Sequence, residues 1–270
     1  MTDLATSERT VAPRIGENAP RPDGVPKVVG AFAFSSDLHH DRMLWGGTLR
    51  STHSSARIRS VDVSTAVAVT GVHAVLVSDD VPGQKVFGLE YRDQPVLAGD
   101  VVRYEGEPVA IVAADHPEAV RMALEAIVVD YEVLVPVVDP MTVEEAEPVH
   151  PDGNLVRRIH LRHGNQDVVG DVQVEGTYEV AMQDQAFLGP ESGMAVPADD
   201  GSIDLYVATQ WLHSDRDQVA DCMGLDPEKV RLTLAGVGGA FGAREDLSLH
   251  VHLCMLAQHT GRPVKMVYSR

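Results

Sequence analysis

Residues 108–133, PVAIVAADHPEAVRMALEAIVVDYEV, constrain the fold more than any other stretch of the chain. Pro108–Ala113 is an uninterrupted apolar run, which is typical of a buried strand. Pro117 stands where a helix favours its first residue. Apolar residues then recur at helical spacing, at Val120, Leu124 and Ile127. Because Val128–Val133 returns to a strand pattern, the stretch predicts a strand–helix–strand unit and an α+β or mixed α/β fold.

Further elements follow from the same reading of periodicity and of turn residues. The predicted strands are Met43–Ser51, Val72–Ser78, Val172–Val180, Ile203–Thr209, Val230–Leu234 and Val264–Tyr268. One helix is expected to be capped by Ser214 and to end before Gly224. Another is expected over Asp246–His259, where Gly261 and Pro263 stop it.

Proline density divides the chain into predicted domains. Residues 1–19 are polar and are expected to form a flexible tail, followed by an α/β domain over 20–140. Residues 141–165 are rich in proline and lose periodicity, which indicates a linker before a second domain over 166–270. A long loop inside one domain is the alternative for 141–165.

Composition excludes several classes of function. The chain has 40 acidic and 22 basic side chains, for a formal charge of −18, which argues against nucleic acid and anionic membrane surfaces. Neither a signal peptide nor an apolar run of about 18 residues is visible, so a cytoplasmic location is expected. Cys222 and Cys254 fall short of the thiolates that hold an iron–sulfur cluster.

The stretch 237–247, VGGAFGAREDL, carries the main functional signal. Glycines with one Phe among them let a ligand approach the backbone, in a loop expected to join a strand to a helix. Known phosphate-binding loops do not fit. Gly242 is not followed by Lys, and Phe241 stands where a dinucleotide fingerprint needs glycine.

Three side chains are candidates for lining the same site. Gln210 ends a predicted strand and has amide hydrogens for a ligand oxygen, although capping of a loop would also explain it. Phe241 presents a flat face or fills the core. Glu245 stands at the expected start of a helix, either to bind substrate or as an ordinary helix-terminus acid. A second polar cluster comprises Gln183, Gln185 and Glu191.

With these residues identified, the sequence resembles the molybdenum-binding subunit of the xanthine dehydrogenase and aldehyde oxidase family. DQPVLAGDVVRYEGEPVAIVAA and VVDYEVLVPVVDP are similar to its N-terminal hammerhead domain. VEGTYEVAMQDQAFLGPESGMAVP, YVATQ, VGGAFGARED and TGRPVKMVYSR resemble the start of its molybdopterin domain. Among family members, FGLEYRDQPVL looks most like the large bacterial xanthine dehydrogenase subunit.

The resemblance implies roles for individual residues. Gln210 and Phe241 would lie in the environment of the molybdenum, and Gln210 with the backbone of Ala240, Phe241 and Gly242 would hold the cofactor. Glu245 resembles the substrate-orienting acid of the family. One departure is Ala243-Arg244 where the family usually has Gly-Lys, which puts the substrate in question because the added methyl group restricts the backbone.

The implied activity is the oxidation of xanthine or hypoxanthine with water-derived oxygen at a molybdenum-pterin cofactor. Electrons would pass to [2Fe-2S] and FAD groups in iron–sulfur and FAD partner subunits. The same chemistry on aldehydes or other N-heterocycles is the first alternative. Family subunits are longer, so the catalytic base and the remaining part of the molybdenum subunit are expected outside this chain. A truncated, non-catalytic assembly module is the second alternative.

Overall fold

The computed structural model describes residues 15–16, 18–165 and 167–269. Contacts divide the chain into two units, residues 1–33 and 34–270. The first contains helix α1 (Gly24–Val28). Lys27 in this helix forms an ion pair at 2.6 Å with Asp23, the N-cap residue. Most of the predicted tail, 1–19, lies outside the described residues.

The second unit contains the other helices and the strands. The helices are α2 (Ser64–Val67), α3 (Pro117–Ala126), α4 (Leu212–Met223) and α5 (His250–Thr260), with 3-10 turns at Ser35–Asp37, Ser78–Asp80 and Pro227–Lys229. The strands are β1 (Leu44–Arg50), β2 (Ala56–Asp62), β3 (Val72–Val77), β4 (Val86–Phe87), β5 (Gln94–Pro95), β6 (Val101–Val102), β7 (Pro108–Ala114), β8 (Val128–Val133), β9 (Ser192–Pro197), β10 (Ile203–Val207), β11 (Val230–Leu234) and β12 (Val264–Val267).

A seven-stranded mixed sheet organises this unit, in the order β11-β10-β9-β12-β1-β7-β3. Strands from before and after residues 141–165 therefore share one sheet, and they meet where β1 pairs in parallel with β12 through Leu44 and Val264. A smaller sheet has the order β6-β2-β8, and β4 pairs with β5. The mixed α/β prediction is confirmed, whereas the predicted domain boundaries stay a prediction.

The strand–helix–strand segment forms with the expected bounds. Every residue of β7 is buried, as its unbroken apolar run predicts. The His116 side chain accepts a hydrogen bond from the Glu118 backbone N–H at 3.1 Å, and Pro117 opens α3. The two flanking strands nevertheless join different sheets, since β7 lies in the large sheet and β8 in the small one.

Three predicted elements are wrong in detail. Val172–Val180 forms no strand, because no strand of the described chain lies beside it, and its side chains are exposed. Ser214 lies inside α4, for which Trp211 is the N-cap residue. Helix α5 begins at His250 rather than Asp246, so the loop that carries Glu245 is longer than the sequence pattern indicates. Gly224 and Gly261 end α4 and α5 in the left-handed conformation, as expected.

The larger apolar core lies where α4 and α5 pack against the large sheet. Eight residues of α5 are buried, including His250 and His252. Burial lowers the pKa of His250 to about 3 and that of His252 to about 4, so both imidazoles are neutral.

Among the residues described, none of the helices has the length and apolar composition needed to span a bilayer.

Candidate functional site

Three loops meet at one edge of the large sheet. Strands β10 and β11 are parallel, so both end at this edge, where Val207 pairs with Leu234. Strand β9 is antiparallel to β10 and begins there, with Gly193 opposite Val207. The segments 187–191, 208–211 and 235–249 are therefore neighbours, and we call them the three edge loops.

Glycines allow two of the edge loops to touch. The Gly189 N–H donates to the Gly238 carbonyl at 3.1 Å. A Cβ atom on Gly238 would lie 2.5 Å from the Gly189 Cα, so a larger residue would force the backbones apart. The glycine-rich stretch thus approaches another loop of the same chain as well as leaving room for a ligand.

The tip of this loop has an unusual backbone. Phe241 has φ 52°, in the left-handed region that side-chain-bearing residues seldom adopt, and it lies between Gly239 at φ 106° and Gly242 at φ 86°. Within the described chain, the backbone N–H groups of Ala240, Phe241 and Gly242 donate no hydrogen bond. Successive unpaired N–H groups in such a turn form a concavity suited to electron-rich ligands.

Gln210 and Glu245 are in contact. The Gln210 amide Nε2 donates to Glu245 Oε2 at 3.1 Å. The Trp211 indole Nε1 donates to the same oxygen at 3.0 Å. Both bonds end on Oε2, and among the described residues Oε1 accepts none. Glu245 is therefore held in place with one oxygen left for a donor from outside.

Arg244 is the buried residue of the site. It is 3% exposed, and its guanidinium donates to the carbonyls of Ala208 at 3.3 Å, Gly189 at 2.6 Å and Gly239 at 3.0 Å. The same group pairs with Glu191 at 2.6 Å. One carbonyl belongs to each of the three edge loops, so a single side chain contacts all of them.

The Arg244 contacts extend further on both sides. The guanidinium lies over the Phe187 ring, 4.8 Å from its centroid. Glu191 also accepts a hydrogen bond from the Ser248 hydroxyl at 2.8 Å. Burial raises the pKa of Glu191, and the charge of Arg244 and the bond from Ser248 act in the opposite direction.

A buried carboxylate supports the site from behind. Asp215, in the first turn of α4, is 1% exposed and accepts a hydrogen bond from Thr209, which precedes Gln210. Burial raises the pKa of Asp215, with a further contribution from the negative charge of Asp246. Among the described residues its Oδ1 has no partner.

The structure sorts the sequence candidates unequally. It brings Gln210 and Glu245 into contact, while Phe241 lies at the loop tip and is 75% exposed. Of the second polar cluster, Glu191 joins the site, and Gln183 and Gln185 lie on an exposed segment. Sequence reasoning missed Trp211 and the role of Arg244. The adjacency of Trp211 to Gln210 was the available signal for the indole.

A separate cavity of about 660 Å³ lies elsewhere, between β1, α3 and β12. Its lining includes Gly46, Gly47 and Tyr268, and it does not include the edge loops. This cavity is therefore separate from the candidate site at the edge loops.

Two family models match most of the chain. Residues 29–135 match the model of the aldehyde oxidase and xanthine dehydrogenase a/b hammerhead domain. Residues 149–270 match the model of the molybdopterin cofactor-binding domain. All three edge loops lie inside the second match.

Two curated relatives are each 38% identical to the chain. The nicotinate dehydrogenase large molybdopterin subunit of Eubacterium barkeri aligns with 95% of this chain and 61% of its own length. A probable xanthine dehydrogenase subunit of Bacillus subtilis (strain 168) aligns with 93% of this chain and 34% of its own length. The chain thus spans less than two thirds of either relative.

Solved structures show the same fold. Quinoline 2-oxidoreductase from Pseudomonas putida 86 superposes with a TM-score of 0.85 at 27% identity, over 94% of this chain and 34% of that one. Aldehyde oxidoreductase from Desulfovibrio gigas gives a TM-score of 0.83 at 26% identity, over 93% and 30%. The chain belongs to the aldehyde oxidase and xanthine dehydrogenase family, of which it carries the hammerhead domain and a molybdopterin cofactor-binding domain.

Proposed function

We propose that this chain is part of a molybdenum hydroxylase that oxidises xanthine and hypoxanthine with water-derived oxygen. The observation that carries the choice of substrate is the Glu245 carboxylate, anchored through Oε2 and open at Oε1. An ionised carboxylate accepts hydrogen bonds and cannot donate them, so it suits a substrate that presents N–H groups. Purines with lactam and imidazole N–H groups meet that requirement.

The same carboxylate disfavours the other substrate classes. The carboxylate of nicotinate would meet the like charge of Glu245, and an aldehyde offers an acceptor and no N–H donor. The two curated relatives have equal identity to the chain and different named substrates, so identity does not decide between them. The charge at Glu245 therefore supports the purine assignment.

The edge loops fit the cofactor. The unpaired N–H groups of Ala240, Phe241 and Gly242 suit the electron-rich oxygen atoms of a molybdenum centre. A Cβ atom built on Gly242 meets no described atom within 4 Å, so there is room above the loop tip. Gln210 would supply an amide donor beside it. When bound, the cofactor supplies a metal that accepts two electrons.

The rest of the enzyme is part of the same proposal. An iron–sulfur subunit and an FAD subunit would carry electrons away, and the remaining part of the molybdenum subunit would supply the catalytic base. The proposed location is the cytoplasm. Within this chain, Glu245 orients substrate and Gln210 faces the cofactor.

The test uses the complete complex purified with its co-purifying subunits. Molybdenum content is measured, and dye reduction is followed with hypoxanthine, xanthine, nicotinate and benzaldehyde. Highest kcat/KM on the purines supports the proposal. Highest kcat/KM on nicotinate or benzaldehyde refutes the substrate assignment, and absence of molybdenum refutes the function as a whole in favour of an assembly module.

A matched pair of variants sharpens the result. Glu245→Gln removes the charge and keeps the size, and it should lower kcat/KM for xanthine about tenfold to a hundredfold, the range for a hydrogen bond to a charged group. Nicotinate turnover should not fall, because a repulsion is removed. Glu228→Gln, on the 3-10 turn before β11, removes the same charge outside the site and should leave both unchanged.

A further inference from the structure

We propose that Arg244 is a positioning residue that holds the three edge loops in one arrangement and thereby presets the donors that face the cofactor. The inference rests on the proposed function of these loops. Its basis is the set of contacts that no other described side chain makes. Arg244 bonds the carbonyls of Gly189, Ala208 and Gly239, one from each loop.

The chemistry of the guanidinium explains why one residue suffices. Its plane has five N–H donors in a fixed fork, and they reach three carbonyls and a carboxylate in different directions. Glu191 neutralises the buried charge at 2.6 Å and is itself fixed by Ser248. The Phe187 ring covers one face of the guanidinium. The guanidinium thus donates to three carbonyls, pairs with a carboxylate and lies over a ring, and its side chain is almost completely buried.

Along the chain, Arg244 lies between the two parts of the loop that are proposed to face the ligands, the tip at Phe241 and the side chain of Glu245. Three residues before it is Phe241, in a left-handed conformation that costs free energy and persists only where the surroundings enforce it. Immediately after it is Glu245, which holds the Gln210 amide. The hydrogen bond from Arg244 to the Ala208 carbonyl also holds the loop 208–211, which carries Gln210.

Arg244 itself is buried and contacts backbone, so it acts through other residues. Preset donors need no rearrangement when an electron-rich group arrives, and this is the advantage of a preorganised site. Loss of the guanidinium loosens the three loops, which then keep the Gly189–Gly238 hydrogen bond and the bonds of Gln210 and Trp211 to Glu245, while the strands that carry them remain paired.

The experiment compares Arg244→Met, Arg244→Lys and Arg231→Met in the full chain with its co-purifying subunits. Arg231 lies on β11 and pairs with Asp204 at the surface, so it controls for loss of an arginine near the loops. Hydrogen exchange is measured in segments 187–191, 208–211 and 235–249, with β7 as an internal reference.

Arg244→Met should raise exchange about tenfold or more in all three segments, because local opening becomes easier. Arg244→Lys should give a smaller rise in at least two of them, with β7 unchanged, because an ammonium cannot satisfy all four acceptors. Arg231→Met should match the unmodified protein. If Arg244→Met does not fold, Arg244→Lys carries the same test. A rise in 235–249 alone, or an equal rise in β7, would overturn the proposal.

Molybdenum and pterin content give a second readout that separates this inference from the function. In a complex that contains the cofactor, Arg244→Met should retain about tenfold less of both, with partial recovery in Arg244→Lys. Unchanged content with unchanged exchange refutes the positioning role alone. If the unmodified complex contains no molybdenum, the proposed function is refuted, and the exchange data still decide the role of Arg244.

Discussion

Two arginines of this chain bind acids in opposite surroundings. Arg121, on the outer face of α3, contacts Glu118 and Glu125, and all three side chains are more than half exposed. Arg244 contacts Glu191 and three carbonyls and is almost completely buried. Both arginines satisfy their donors, and a count of ion pairs would not distinguish them.

The difference lies in what replaces each arginine when it is removed. Water solvates the acids on α3 at once, so their partner contributes little to stability. Behind the edge loops, removal would leave the buried Oε1 of Glu191 without its counter-charge and three carbonyls without the N–H donors they now have. The same residue type is therefore a surface detail in one region and a structural requirement in the other.

The largest expected effect is that of Arg244→Met on stability. The free energy of unfolding should fall by about 3–5 kcal/mol, since the mostly buried Glu191 carboxylate loses its counter-charge. Adding Glu191→Gln should recover part of the loss, because the stranded charge is then absent. Denaturant unfolding of both single variants and the double variant measures this coupling, and purely additive losses would break the contrast with Arg121.

The next effect separates two glycines of the same loop. Gly238→Ala should cost about 2–3 kcal/mol, because its Cβ would collide with the Gly189 backbone. Gly242→Ala has open space around it and should cost about 1 kcal/mol for its positive φ. Denaturant unfolding decides the order. Equal costs would mean that the contact between the loops yields easily.

A smaller effect concerns two aspartates with opposite pKa shifts. Burial raises the pKa of Asp215, whereas Ser202 and Lys229 lower that of the exposed Asp200 to about 2. A raised carboxyl pKa means that the folded state holds its proton more tightly than the unfolded state. The Asp215 contribution to stability is therefore lost as pH rises from its ordinary value of 3.8 through its raised folded pKa.

Asp215→Asn removes this titration. Over that pH window, the variant should gain stability relative to the unmodified chain as pH rises, and the difference should level off above it. Asp200→Asn should do the reverse, losing stability relative to the unmodified chain as pH rises from about 2. Unfolding curves from about pH 3 to about pH 8 measure both. Parallel curves for all three proteins would contradict the assigned burial of Asp215.

The smallest effect is expected on α3. Arg121→Met should leave unfolding unchanged within measurement error, because water replaces the arginine at both glutamates. A loss comparable to that of Arg244→Met would mean that burial does not distinguish the two regions.

The sequence predicted the local elements well and the long-range contacts poorly. Strand β7 and helix α3 were predictable because periodicity and an N-terminal proline are properties of neighbouring residues. Val172–Val180 alternates regularly and yet forms no strand. Alternation shows which side chains would share one face of a strand, and it does not show whether a neighbouring strand is available for pairing. The start of α5 was misplaced by four residues, since no strong cap marks it.

The candidate site divides in the same way. The sequence singled out Gln210 and Glu245 through their positions beside recognisable motifs, and their roles stay a prediction. The contacts of the Trp211 indole and the Arg244 guanidinium were not predicted. Their partners, Glu245 and Gly189 respectively, are distant from them in the chain. Such contacts arise only when the ends of β10 and β11 and the start of β9 come together.

The parallel pairing of Leu44 with Val264 also has a consequence for biosynthesis. On the ribosome, β1 emerges long before β12, so the side of β1 that pairs with β12 stays open until β12 has been synthesised. Pairings between such distant segments form slowly, and open strand edges attract other chains. Nascent protein should therefore depend on chaperones until β12 arrives.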